Sequence, residues 1–187
     1  MNNEFDYFVI DCDSSIPFLV TDEKSRAFVS KIMEEYNFDN SNLIKDVMFE
    51  DKSDLKNEKY SDGFFVDFFE SEKCSCVFSQ KIYDVLRKEK ISGLMLIPVT
   101  IRSSNKSETN FYFAKHQKID FFDEKYLRRG KRIMSKDLLS IPLNQRRVFQ
   151  IKNTGMILYH KTIVDNILLI NPKGIFFTPL EEVIGDN

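Results

Sequence analysis

The sequence predicts an α+β fold, a mixed or antiparallel sheet with helices packed on it, and three observations carry the prediction. Short runs of β-forming residues and short amphipathic helical patterns share the chain without alternating regularly, which argues against a doubly wound parallel sheet. The apolar content, with 18 phenylalanines and no tryptophan in 187 residues, fills one sizeable core or two small ones. The third observation is internal similarity: residues 77–99 align without a gap with residues 158–180, 81 positions later. Ile82 falls on Ile163, Asp84 on Asp165, Gly93 on Gly174 and Pro98 on Pro179, at the places where a helix, a turn and a strand change over. A reused helix-turn-strand unit is expected.

Each element has its own justification. Residues 5–10 read as a short strand, and residues 25–38 as an amphipathic helix, with Phe28, Ile32 and Tyr36 four apart. The polar stretch 51–63 reads as loop, and residues 64–69, FFVDFF, as a strand. Ser79 is a good N-cap, its hydroxyl able to accept from a first-turn amide, and Ile82, Val85 and Leu86 then share one helical face. Gly93 suits a left-handed stop after that helix. Residues 94–101 form an apolar strand in which Pro98, lacking an N–H, demands an edge position or a bulge. Residues 103–108 read as a loop, 110–122 as a strand of alternating aromatic and polar residues, and 148–151 as a short strand before Gly155. In the second copy Ile163, Ile167 and Ile170 form the buried stripe, and Pro172 ends the helix before Gly174.

The formal net charge of −2 hides an asymmetry. Residues 1–80 carry 18 acidic against 8 basic side chains, and residues 81–187 carry 11 against 19. The charge change marks either an acidic N-terminal subdomain, 1–75, and a basic C-terminal subdomain, 76–187, which holds both copies of the unit, or two parts of one compact domain. Such a split either draws the two halves together or presents one face to a partner of opposite charge. A basic run at 125–136 lacks the aromatic platform or binding fold that would point to nucleic acid. No apolar run approaches the roughly 18 residues of a membrane helix, and the acidic start MNNEFDYFVID is unlike a signal peptide. Cys12, Cys74 and Cys76 are odd in number and show no framework spacing. A cytoplasmic protein is expected.

Three constellations could carry chemistry, and a plainer reading outweighs each. The run FVIDCDSS resembles the first motif of haloacid-dehalogenase-like phosphatases, with Asp11 as nucleophile and Asp13 as acid/base around a magnesium ion. That family needs a further lysine and acidic metal site on a parallel sheet, and the lone Gly185-Asp186 pair ends the chain. Cys74 and Cys76 with His116 and His160 have the wrong spacing for a zinc knuckle. A cysteine or serine nucleophile with one of these histidines has no nucleophile elbow to support it. No catalytic residue, metal or cofactor is expected.

From about residue 64 onward the chain resembles the bacterial polymorphic-toxin immunity family numbered eleven. The resemblance lies in FSQKIYDVLRKEKISGLMLIPV, then NFYFAKHQKIDFFDE, then RVFQIKNTGMILYHKTIVDNI, over about two thirds of the chain. His160 stands where that family has a serine at the second helix start. What the resemblance implies is a non-enzymatic protein that binds one cognate toxin and occludes it, without nucleic acid or membrane as partner. If that toxin is basic, Glu34, Glu35, Asp39, Glu50, Asp51 and Asp54 would form the rim of the contact, with Tyr36, Phe38 or Tyr60 as apolar anchors.

Overall fold

Both helix-turn-strand segments and the strands expected near 5–10, 64–69, 110–122 and 148–151 have counterparts in the described residues, whereas the strand at 47–50 and the short helices at 143–146 and 180–184 are not among the expected elements. The structure, a computed structural model, describes residues 6–12, 47–50, 62–66, 75–102, 108–119, 138, 140–152 and 156–184. Along the chain it runs β1 (Tyr7–Cys12), β2 (Val47–Glu50), β3 (Gly63–Val66), β4 (Ser75–Ser79), α1 (Gln80–Lys88), β5 (Leu94–Arg102), β6 (Glu108–His116) and β7 (Lys118–Ile119). It continues through α2 (Leu143–Arg146), β8 (Val148–Ile151), β9 (Ile157–His160), α3 (Lys161–Leu168), β10 (Ile175–Pro179) and α4 (Leu180–Ile184). Among the described residues the strands form two mixed sheets, ordered β2-β5-β6-β4-β3 and β10-β1-β9-β8-β7, in which β2–β5 and β7–β8 pair in parallel and the other pairs are antiparallel. The fold is α+β.

The two segments that align in sequence also follow one backbone path. In the first, β4 and β5 are each antiparallel to β6, which lies between them, and α1 makes the crossover. In the second, β9 and β10 flank β1 in the same way, and α3 makes the crossover. The registers agree residue by residue: Tyr112 is opposite both Phe78 and Pro98, as Phe8 is opposite both Tyr159 and Pro179. A fourth strand completes each unit, β3 beside β4 and β8 beside β9, with Gly63 opposite Phe78 where Val148 is opposite Tyr159. Each unit is thus a split strand-helix-strand crossover plus a hairpin.

The inward faces of both units meet in one core. Phe78, Ile82 and Leu86 from the first unit and Tyr159, Ile163 and Ile167 from the second occupy corresponding places in it, all nearly or wholly buried. The close approach has a requirement: a Cβ on Gly63 would stand 2.6 Å from Cδ1 of Ile175 in the other unit. Polar ties cross the same seam. Asp62 accepts from the Lys173 amide at 2.8 Å, Lys81 donates to the Asn171 carbonyl at 3.0 Å, and Arg147 pairs with Glu89 at 2.7 Å. A smaller cluster, including Tyr7, Leu138, Phe149, Leu158 and Leu180, covers the other face of the second sheet.

Several expectations change in detail. Across residue 75, β3 pairs with β4, and β1 lies between β9 and β10. The strand expected over 110–122 breaks at Gln117, where the chain leaves one sheet for the other. There the Gln117 amide donates to the Gly93 carbonyl at 2.7 Å and its carbonyl accepts from the Gln150 amide at 2.9 Å. Ser79 begins α1 by backbone geometry, but its hydroxyl donates to Asp62 at 2.8 Å rather than capping an amide. A carboxylate is the stronger partner. His160 does cap α3, its Nδ1 accepting from the Thr162 amide at 3.3 Å. The left-handed residues that directly end the helices are Lys90, φ +47°, and Asn171, φ +48°. Gly93, φ +78°, and Gly174, φ +68°, follow three residues later and turn the chain into the returning strand. Pro98 is exposed, one residue before β2 begins to pair with β5, and Pro179 lies on the edge strand β10. Neither proline breaks a ladder.

Candidate functional site

Most of the partner-contact residues expected from the sequence fall where the structure is not described. Glu34, Glu35, Tyr36, Phe38, Asp39, Asp51, Asp54 and Tyr60 lie outside the described residues, as do the helix expected at 25–38 and the basic run at 125–136. Glu50 is the last residue of β2, with its backbone beside Arg102. The structure therefore neither assembles nor disperses that acidic group.

The candidates for chemistry separate. Asp11 is exposed on β1 opposite Phe176, and Asp13 lies outside the described residues. Because β1 runs antiparallel to both its neighbours, Asp11 is not at the head of a parallel sheet, as the phosphatase motif requires. Cys76 is wholly buried among apolar side chains, and Cys74 lies outside the described residues. Among the described residues no three histidine, cysteine, aspartate or glutamate groups come together as a metal site.

Both histidines are built into the core. Nε2 of His116 lies 3.1 Å from the Tyr159 hydroxyl, a link between the two units, and burial pushes its pKa down to about 3. A neutral ring is the form that an apolar surround favours. His160 serves the α3 cap, with its ring edge-on to Tyr7 at 5.4 Å. Beside it Arg146, 2% exposed, donates to the Tyr7 hydroxyl at 2.9 Å and to the Ile141 carbonyl at 2.9 Å. Arg146 and Tyr7 thus pair with each other and with the backbone, as buried polar groups generally do.

What the surface offers is contact area, and the two units dress it differently. The second unit exposes Leu169 at 82%, Phe176 at 55%, Leu168 at 51% and Val183 at 43%. The first-unit positions aligned with Leu169, Phe176 and Leu168 are Lys88, Met95 and Arg87, of which Arg87 and Lys88 are exposed and Met95 is buried, while Val183 lies beyond the aligned segment. One backbone design therefore ends its helix on cations in one unit and on two bare leucines in the other. Adjacent large apolar side chains left exposed, as Leu168 and Leu169 are, make this helix end a candidate for contact with another molecule. The signal was present in the sequence: ILLI at 167–170 is a longer apolar run than one helical face buries.

The first unit has its own surface feature, which periodicity alone did not single out. Tyr83 on α1 stacks on Tyr112 of β6, ring centroids 3.8 Å apart and planes 16° from parallel. The Tyr112 hydroxyl donates to Gln80 at 2.6 Å, and Gln80 donates to Asp84 at 2.9 Å. The guanidinium of Arg87 stands 6.0 Å from the Tyr83 ring centre. Tyr83 sits off the buried stripe of α1, the one sequence clue to this cluster. No protein-family model matches the chain, and no curated protein sequence matches it.

Proposed function

We propose that the chain is a protein-binding module, and that it acts as an immunity protein: it binds a cognate bacterial toxin and blocks it by occlusion, without catalysis. The observation that carries the binding reading is the bare apolar end of α3, Leu168 and Leu169, at positions where the aligned helix α1 carries Arg87 and Lys88. Leaving two leucines in water sacrifices hydrophobic stabilisation that a partner would recover. The choice of a toxin as that partner rests on the resemblance over residues 64–187. An occluding interface of ordinary size covers on the order of 1,600 Å², far more than these leucines supply, so further contact residues are required. The acidic residues Glu34, Glu35, Asp39, Glu50, Asp51 and Asp54 are proposed as that remainder, speeding encounter with a basic toxin.

The test is co-expression with the gene immediately upstream. Rescued growth and co-purification are expected, with binding weakened when three of those acids are reversed to lysine. A chain that neither rescues growth nor co-purifies removes the toxin reading.

A further inference from the structure

Beside the stacked tyrosines, α1 and the start of β5 leave an open cleft of about 220 Å³, floored by Leu86, Ile91, Leu94 and Leu96 and rimmed by Tyr83, Arg87 and Lys90. We propose that this cleft seats one apolar side chain from an acidic segment of a partner protein. The proposal stands whether or not that partner is a toxin.

Size and floor select the anchor. The space suits one or two side chains rather than a drug-sized substrate, and its floor is aliphatic. Small pockets beside tyrosine and arginine are where interfaces concentrate their binding energy.

Charge selects the flanking residues. Of the nearby acids, Asp84 accepts from the neutral Gln80 amide and keeps its charge, while Glu89 is held by Arg147 at 2.7 Å and Asn166 at 2.7 Å. Arg87 and Lys90 have no ion-pair partner among the described residues, so the rim sets two cations against the one carboxylate of Asp84 and keeps a net positive charge beside the leucine and isoleucine lining. Lys90 helps end α1 in a left-handed backbone, φ +47°, as Asn171 does after α3, and a glycine would hold that conformation at lower cost.

A nucleic-acid partner fits less well. Tyr83 and Tyr112 each spend one face on the other, and an aliphatic floor offers a base nothing to stack on.

The test uses the full chain and two fluorescein-labelled hexapeptides, one with glutamates around a central leucine and the other with lysines in their place. The glutamate peptide is expected to bind at least about tenfold more tightly. Arg87→Glu with Lys90→Glu should invert that preference. Lys90→Gly should raise the melting temperature, by relieving the left-handed backbone, while weakening glutamate-peptide binding several-fold, a pairing that damage to the fold cannot produce. Equal binding of the two peptides, or undiminished affinity in the charge-reversed protein, overturns the proposal. So does a single-stranded oligonucleotide that displaces the glutamate peptide at equal concentration. If the peptides bind alike while toxin co-expression still rescues growth, the cleft assignment falls and the immunity reading stands.

Discussion

The two crossover units share backbone, register and turn geometry, yet they differ in what they show to solvent and in how their helices begin. Strand-helix-strand paths coincide down to the left-handed residues after each helix and the glycine three residues later. The aligned core residues are apolar in both, Phe78 with Tyr159 and Ile82 with Ile163. At the helix ends, α1 carries Arg87 and Lys88 and α3 carries Leu168 and Leu169. The difference teaches that the backbone path needs the buried stripe and the turn, and leaves the outer surface free for recognition.

The largest expected effects probe the shared core. Phe78→Ala and Tyr159→Ala should each cost about 3–5 kcal/mol of unfolding free energy by chemical denaturation. The Tyr159 variant should lie at the upper end, because it also strips His116 of its hydroxyl partner. If either is tolerated within about 1 kcal/mol, as a surface change would be, the units do not share one core.

The turns should respond unequally. At Gly93 an alanine meets both a left-handed backbone and the side-chain amide of Gln117, so Gly93→Ala should cost about 2–4 kcal/mol. Gly174→Ala faces the same backbone sign and should cost about 1 kcal/mol. Equal losses in melting experiments would mean that the Gln117 junction between the sheets adds nothing.

Acid sensitivity should belong to the first unit, where His116 lies opposite Leu94; the corresponding place opposite Ile175 holds Cys12. The folded-state pKa of His116 is lowered to about 3, below the ordinary histidine value of about 6.5. Between those values the unfolded chain binds a proton that the folded chain does not, so this contribution to stability is complete above pH 6.5 and is lost as pH falls toward 3. Stability measured from pH 6.5 to 5 should fall by up to about 1.4 kcal/mol per unit from this group, and His116→Gln should flatten the slope. An unchanged slope in the variant would place the acid response elsewhere.

A smaller effect tests the helix starts. His160→Ala removes both the buried ring and the α3 cap and should be about 1 kcal/mol less stable than His160→Asn, which loses the ring but keeps a capping acceptor. Identical stability in both variants would show that the ring supports α3 through packing alone.

Much of the fold was legible in the sequence because its period was. The stripe Ile82, Leu86 and the aligned Ile163, Ile167 marked both helices, and Gly93 and Gly174 marked the turns. Pairing was not legible: nothing local says that β1 inserts between β9 and β10, some 150 residues away, or that the strand after His116 changes sheets at Gln117. Nor could spacing reveal that Ser79 prefers the Asp62 carboxylate to its own helix amides, since that acid arrives from a neighbouring hairpin. Surface function was the least legible. Leu168 and Leu169 look like core in a sequence and become candidates for contact only when a structure leaves them bare.

The most direct test of the account gives the second unit the surface of the first. Leu168→Arg with Leu169→Lys should leave the unfolding free energy within about 0.5 kcal/mol of the parent, because both side chains are exposed. The measurement is co-purification with the product of the gene immediately upstream, the proposed toxin, with growth rescue as its companion. The account predicts that the doubly substituted chain folds normally and no longer retains the toxin; toxin retained at full strength by that chain would contradict it.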